Sequence, residues 1–77
     1  MVPEKVNVRT AKDGTMVATV GFGGGMPVET YRTDRFGRGL WRLEGGGWVR
    51  VFADHRFYAP TTSDFRRFLY RNAGGGI

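Results

Sequence analysis

The sequence has no cysteine and a single histidine. The first absence excludes a disulfide framework and any thiolate metal centre. The second leaves His55 without the companion ligands that a zinc site requires. His55 follows Asp54, but neighbours in an extended chain point to opposite faces, so the two do not make a catalytic pair. Asp13, Asp34, Asp54 and Asp64 each fall at a turn or a helix cap, where a short carboxylate has a structural use. The glycine run at 23–25 lacks the Gly-Lys-Ser/Thr ending of a phosphate-cradling loop. These gaps point to a non-enzymatic protein with no metal and no cofactor.

Long apolar runs are also missing. None approaches the roughly 20 residues needed to cross a bilayer, and Met1–Lys5 contains no apolar leader core. A cytoplasmic protein with no membrane partner is the expectation. Carboxylates are few, with seven Asp and Glu against twelve Lys and Arg, for a formal charge of +5. Within the basic set Arg outnumbers Lys ten to two. Arg presents a planar fork suited to phosphate or carboxylate, so this balance leans toward anionic partners. The plainer account is that a surplus of positive charge keeps a small domain soluble.

What the chain does hold is aromatic side chains and glycine. Six Phe, three Tyr and two Trp make 14% of its 77 residues. Each ring can bury roughly 150–250 Å², which is how a chain near the lower size limit for one core can fold without staples. The pattern predicts a single domain over 1–72 and a Gly-rich tail over 73–77.

Residues 5–10 and 15–22 are rich in Val and Thr, with Asp13-Gly14 between them. That pair predicts a type I′ hairpin placing Thr10 opposite Val17, Val8 opposite Thr19 and Val6 opposite Gly21. Both faces of this hairpin are partly apolar, so periodicity leaves open which is buried. Residues 28–33 alternate and predict a third strand; residues 34–39 read as a turn. The stretch from Gly39 to Phe52 carries both tryptophans around Glu44-Gly45-Gly46-Gly47 and predicts a second hairpin. With a three-glycine loop, Leu43 faces Val49, Arg42 faces Arg50 and Trp41 faces Val51. With only Gly45 and Gly46 in the loop, Trp41 faces Arg50 instead. The first register is preferred because it gathers Trp41, Leu43, Val49 and Val51 on one core face. Leu40, Arg42, Arg50 and Phe52 then share the other face, with Trp48 at the turn. Residues 56–59 suggest a short last strand ended by Pro60. Thr61-Thr62-Ser63-Asp64 reads as a helix start. Phe65, Phe68 and Leu69 follow on one stripe, and Arg66, Arg67, Tyr70 and Arg71 on the other.

The expected fold is therefore α+β, a small antiparallel meander of four to five strands with one C-terminal helix packed on it. Its expected core is Val17, Trp41, Leu43, Val49, Val51, Phe65, Phe68 and Leu69. The candidate binding surface is Arg42, Trp48, Arg50 and Phe52 on the sheet, with Arg66, Arg67, Tyr70 and Arg71 on the helix. Two arginines directly opposite each other in a sheet repel, and an anion between them would relieve that. Aromatic rings on the same face could stack bases, as in sheet-based single-strand binders. Nucleic acid is the first partner expected. The alternative is an inhibitor of the phage or mobile-element kind that occupies a host protein or nucleoprotein, since Trp, Tyr and Arg also dominate protein hot spots. A homodimer is a third option, because an open sheet has an edge to cover.

Overall fold

Turn conformation sets strand register in this protein, and register decides which side chains share a face. The computed structural model describes residues 1–52, 56–75 and 77. The expectations for Asp54, His55 and Gly76 fall outside them. Strands β1 (Lys5–Thr10), β2 (Met16–Gly21), β3 (Glu29–Arg32), β4 (Trp41–Glu44) and β5 (Gly47–Arg50) form one antiparallel sheet in sequence order. Helix α1 (Thr62–Asn72) follows and lies over β1 and β2. The α+β meander with a C-terminal helix is thus the observed architecture.

The first hairpin differs from expectation by one residue. Thr10 pairs with Met16, Val8 with Ala18 and Val6 with Val20. A type I′ turn needs positive φ at both central residues. Gly14 has it, at 90°, but no non-glycine residue does, so Asp13 stays in the ordinary region. The chain instead closes a three-residue loop. Ala11 N donates to Thr15 O at 2.7 Å, and Gly14 N to Ala11 O at 3.0 Å. Asp13 Oδ1 accepts from Thr15 N at 3.0 Å and from Thr15 Oγ1 at 2.7 Å, which fixes the turn. The corrected register puts Val6 and Val8 on the same face as Met16, Ala18 and Val20, and resolves which side is buried. Val6, Met16, Ala18 and Val20 are core, whereas Val17 turns to the other face.

The second hairpin takes the tighter register. Gly45 and Gly46 have φ of 58° and 84°, the two positive values of a type I′ turn. Glu44 therefore pairs with Gly47, Leu43 with Trp48, Arg42 with Val49 and Trp41 with Arg50. Four expectations change with it. Arg42 and Arg50 are not opposite each other; they lie on opposite faces of the sheet. Leu40, expected outside, is fully buried. Leu43 and Val49, expected in the core, are 42% and 44% exposed. Trp41 sits on the face away from the helix, not in the core.

Thr61 caps α1: its Oγ1 accepts from Asp64 N at 3.1 Å and donates to Asp64 Oδ2 at 2.7 Å. Phe65 and Leu69 are completely buried, and burying side chains of this size stabilises the fold by roughly 1.5–3 kcal/mol each. Phe68 packs half-buried beside them. Phe52 belongs with these residues, which corrects its expected place on the binding surface. Its ring lies 6.3 Å from Phe57 and 6.4 Å from Phe68, and Phe57 meets Phe68 edge-on at 4.8 Å. Residues 57–59 pair with the 37–39 segment rather than adding a sixth strand to the sheet, through Gly39 N to Phe57 O at 3.2 Å and Ala59 N to Gly37 O at 2.7 Å. The chain end folds back onto the body: Ala73 is buried and Ile77 packs on the core. No helix among the described residues is long and apolar enough to cross a membrane.

Candidate functional site

One face of the sheet carries α1 and the core; among the described residues, no layer covers the other. Strand pairing places Lys5, Asn7, Arg9, Val17, Thr19, Thr30, Arg32, Trp41, Leu43, Trp48 and Arg50 on that open face, and none of them is buried. Across it, register aligns one residue from each strand: Arg9 with Val17, Val17 with Arg32, Arg32 with Trp41, and Trp41 with Arg50. At the usual strand spacing this row is roughly 19 Å long. Its three guanidinium groups alternate with Val17 and Trp41, so successive charges start about 10 Å apart, near one Debye length at moderate salt. The sheet can hold them together without the direct clash that facing arginines would make.

The arginines lie over rings. Arg32 places its guanidinium carbon 4.4 Å from the centre of the Trp48 ring, and Arg50 stands 5.2 Å from that of Trp41. Arg50 Nε also donates to Phe52 O at 3.0 Å. Further cation–ring contacts occur at Arg38 over Tyr58, Arg35 over Phe36 and Arg56 over Phe52. Five such pairs stand among the described residues, where about one per 70–80 residues is usual. The excess gives the preference for Arg over Lys a physical basis, because Arg is the more frequent cation over aromatic faces. Trp41 is held from below as well. Gly39 has φ of 72°, and a Cβ there would stand 2.7 Å from Cη2 and Cζ3 of the indole, so the ring rests on bare backbone.

Charge is segregated between the two faces. No strand position on the open face is acidic, while four are basic: Lys5, Arg9, Arg32 and Arg50. The carboxylates nearest this face belong to turns. Asp13 has its carboxyl held below the usual range chiefly by the Thr15 hydroxyl and amide, with a smaller contribution from Arg32. Asp34 Oδ1 accepts from Phe36 N and Arg38 N, both at 2.8 Å.

Arg42 stands on the helix-side face and is already engaged. It bridges to Glu44 at 3.1 Å. Burial lowers its pKa, but the Tyr31 hydroxyl and Glu44 outweigh that and hold the guanidinium above its ordinary value. Tyr31, 1% exposed, donates to Glu29 Oε1 at 2.7 Å. Burial first, then the Glu29 carboxylate, pushes its phenol up to about 12. This is a polar network at the border of the core, and it places Arg42 on the face opposite Arg50 rather than beside it.

The helix residues are not brought to the open face. Arg66, Arg67 and Arg71 stand on the opposite side of the molecule, and Arg67 contacts Asp64 at 3.3 Å. Tyr70 accepts a hydrogen bond from Val6 N at 3.2 Å, so its hydroxyl covers the outer edge of β1. Of the residues singled out from sequence, Trp48 and Arg50 belong to the open face. Arg9, Arg32 and Trp41 were missed there, and only a correct register could have found them. Among the described residues no cluster of His, Asp or Glu is arranged to hold a metal ion. Comparison with known proteins finds no matching family model, no matching curated relative and no matching solved structure.

Proposed function

We propose that the protein binds single-stranded nucleic acid on the open face of its sheet. The observation that carries this reading is the cross-sheet row of Arg9, Val17, Arg32, Trp41 and Arg50, with Trp48 beside it, on a face whose strands supply cations and no carboxylate. Guanidinium groups at this spacing attract a phosphate chain. Indole rings and stacked guanidinium planes offer flat surfaces to unpaired bases, a contact worth about 1–3 kcal/mol per base. A duplex hides those base faces, and α1 lies on the wrong side to enter a groove. The glycines of the β4–β5 tip add no side chains that would block a strand lying across the sheet.

A second reading, an inhibitor seated on a protein surface, is favoured by the exposure of Leu43 and Val49 at the hairpin end. Salt separates the two. Fluorescence anisotropy with a labelled single strand should show affinity falling steeply with added salt, log K declining by about 0.7 per phosphate neutralised. Absence of binding at low salt rejects the first reading. Tight, salt-insensitive binding to one protein supports the second.

A further inference from the structure

Beside the row, Asp34, Arg38, Gly39, Trp41 and Arg50 line a notch of about 300 Å³, at the small end of ligand sites. It adjoins the open face through Trp41 and Arg50. Asp34 is the one acid in this lining, and among the described residues it makes no ion pair with Arg38. Its Oδ1 takes two backbone N–H groups, while Oδ2 has no hydrogen-bond partner among the described residues. The turn therefore uses one oxygen and leaves the other as an acceptor on the notch. Arg38, exposed, supplies a bidentate donor on the same lining. An acceptor and a fork of donors on one lining match a partner that presents donors next to acceptors.

We propose, resting on the single-strand reading above, that this notch reads one base and prefers guanine. Guanine carries the acceptors O6 and N7 side by side, the pair to which arginine binds bidentately. Its N1–H and N2–H₂ donors lie on the adjoining Watson–Crick edge, which shares O6, and suit the free Asp34 oxygen. Adenine puts an amino group where Arg38 needs an acceptor. Uracil and thymine flank their single ring N–H with carbonyls, so Asp34 meets a repulsive neighbour. Cytosine offers a partial match, with N4 toward Asp34 and N3 and O2 toward Arg38, but a smaller ring to stack beside Trp41. The order expected is guanine, then cytosine, then adenine and the remaining pyrimidines.

The test uses the full chain and thymidine strands of about eight nucleotides, within the usual site size for single-strand binding folds. Each strand carries guanine, cytosine, adenine or thymine at one central position, and anisotropy gives the four dissociation constants. The guanine strand should bind at least about fivefold more tightly than the all-thymidine strand. Asp34→Asn keeps an oxygen for Phe36 N and Arg38 N, so the turn survives, but it replaces the free acceptor with a donor. This variant should lose the guanine preference and bind the all-thymidine strand at least as tightly as the native chain does, because both the repulsion of thymine's carbonyls and one negative charge are gone. Equal affinity for all four strands, or a preference that survives Asp34→Asn, overturns the base-reading proposal and leaves the single-strand reading standing. Failure to bind any of the strands overturns both.

Discussion

Arg32 reaches from β3 across β4 to lay its guanidinium 4.4 Å from the centre of the Trp48 ring on β5, a contact between strands that are not paired with each other. It ties the exposed hairpin to the body of the sheet and presents a cation and an aromatic plane as one unit. Binding through this unit draws on both its charge and its shape, and the two are separable by mutation. Trp48→Ala should weaken single-strand binding by about 1–3 kcal/mol, the range for a lost base stack, with little change in salt slope. Arg32→Ala should lower the magnitude of the slope by about one phosphate contact. Arg32→Lys should keep the slope but lose affinity, because ammonium does not form the flat stack. Anisotropy over a salt series measures all three. Identical behaviour of Arg32→Lys and the native chain refutes a role for the stack.

The Tyr31 phenol gives the fold a pH signature. Its folded pKa of about 12 lies above its ordinary value of 10. The folded state therefore holds this proton where the unfolded chain has released it, and stability falls as pH rises through that interval. The contribution is fully present below pH 10 and lost by pH 12. Tyr31→Phe removes the titrating group, so denaturant midpoints for the native chain should fall more steeply than those of the variant across this window. Parallel midpoint curves for the two chains contradict the assignment.

Sequence made the architecture legible because its signals were local: Asp13-Gly14, the Gly45–Gly47 run, the Thr61 cap and the Phe65–Leu69 stripe each mark an element by its own chemistry. Register was not legible, because it depends on φ at particular turn residues. Asp13 favours a hairpin whether or not it takes positive φ, and a Gly-Gly-Gly run accommodates a two- or three-residue loop equally well. One step of error exchanged the faces: it moved Arg42 outward beside Arg50, Leu43 inward, and hid the alignment of Arg32 with Trp41. Phe52 was misplaced for a different reason. The chain leaves the sheet after Arg50, so strand alternation no longer governs where its ring points.

The β4–β5 turn can be tested by making its sequence match its conformation. Gly45 has φ of 58°, and a Cβ there would meet nothing within 4 Å. Asn is the residue most tolerant of that region, and Asn-Gly is the preferred type I′ pair. Gly45→Asn should stabilise the protein by about 0.4–1 kcal/mol, since it narrows the unfolded ensemble without straining the turn. Thermal unfolding should show a midpoint several degrees higher. A lower midpoint would mean that Gly45 and Gly46 do not form this turn and that the register of Trp41 with Arg50 is wrong.

Whether location or total charge governs binding is decided by comparing two double variants of equal net charge. Lys5→Ala with Arg9→Ala removes two exposed cations from the open face; Arg66→Ala with Arg71→Ala removes two from the helix. Each takes the formal charge from +5 to +3, the difference being the two positive side chains lost. Long-range attraction depends mostly on the total, so both variants should lose some association rate at low salt. Direct phosphate contact depends on place. If the strand lies along the Arg9 row, the sheet variant loses up to about two phosphate contacts from its salt slope and the helix variant keeps the native slope. Slopes reduced equally in both variants mean that nucleic acid follows the overall charge, in which case the alignment of Arg9, Arg32, Trp41 and Arg50 serves the sheet alone and the open face is not the binding surface.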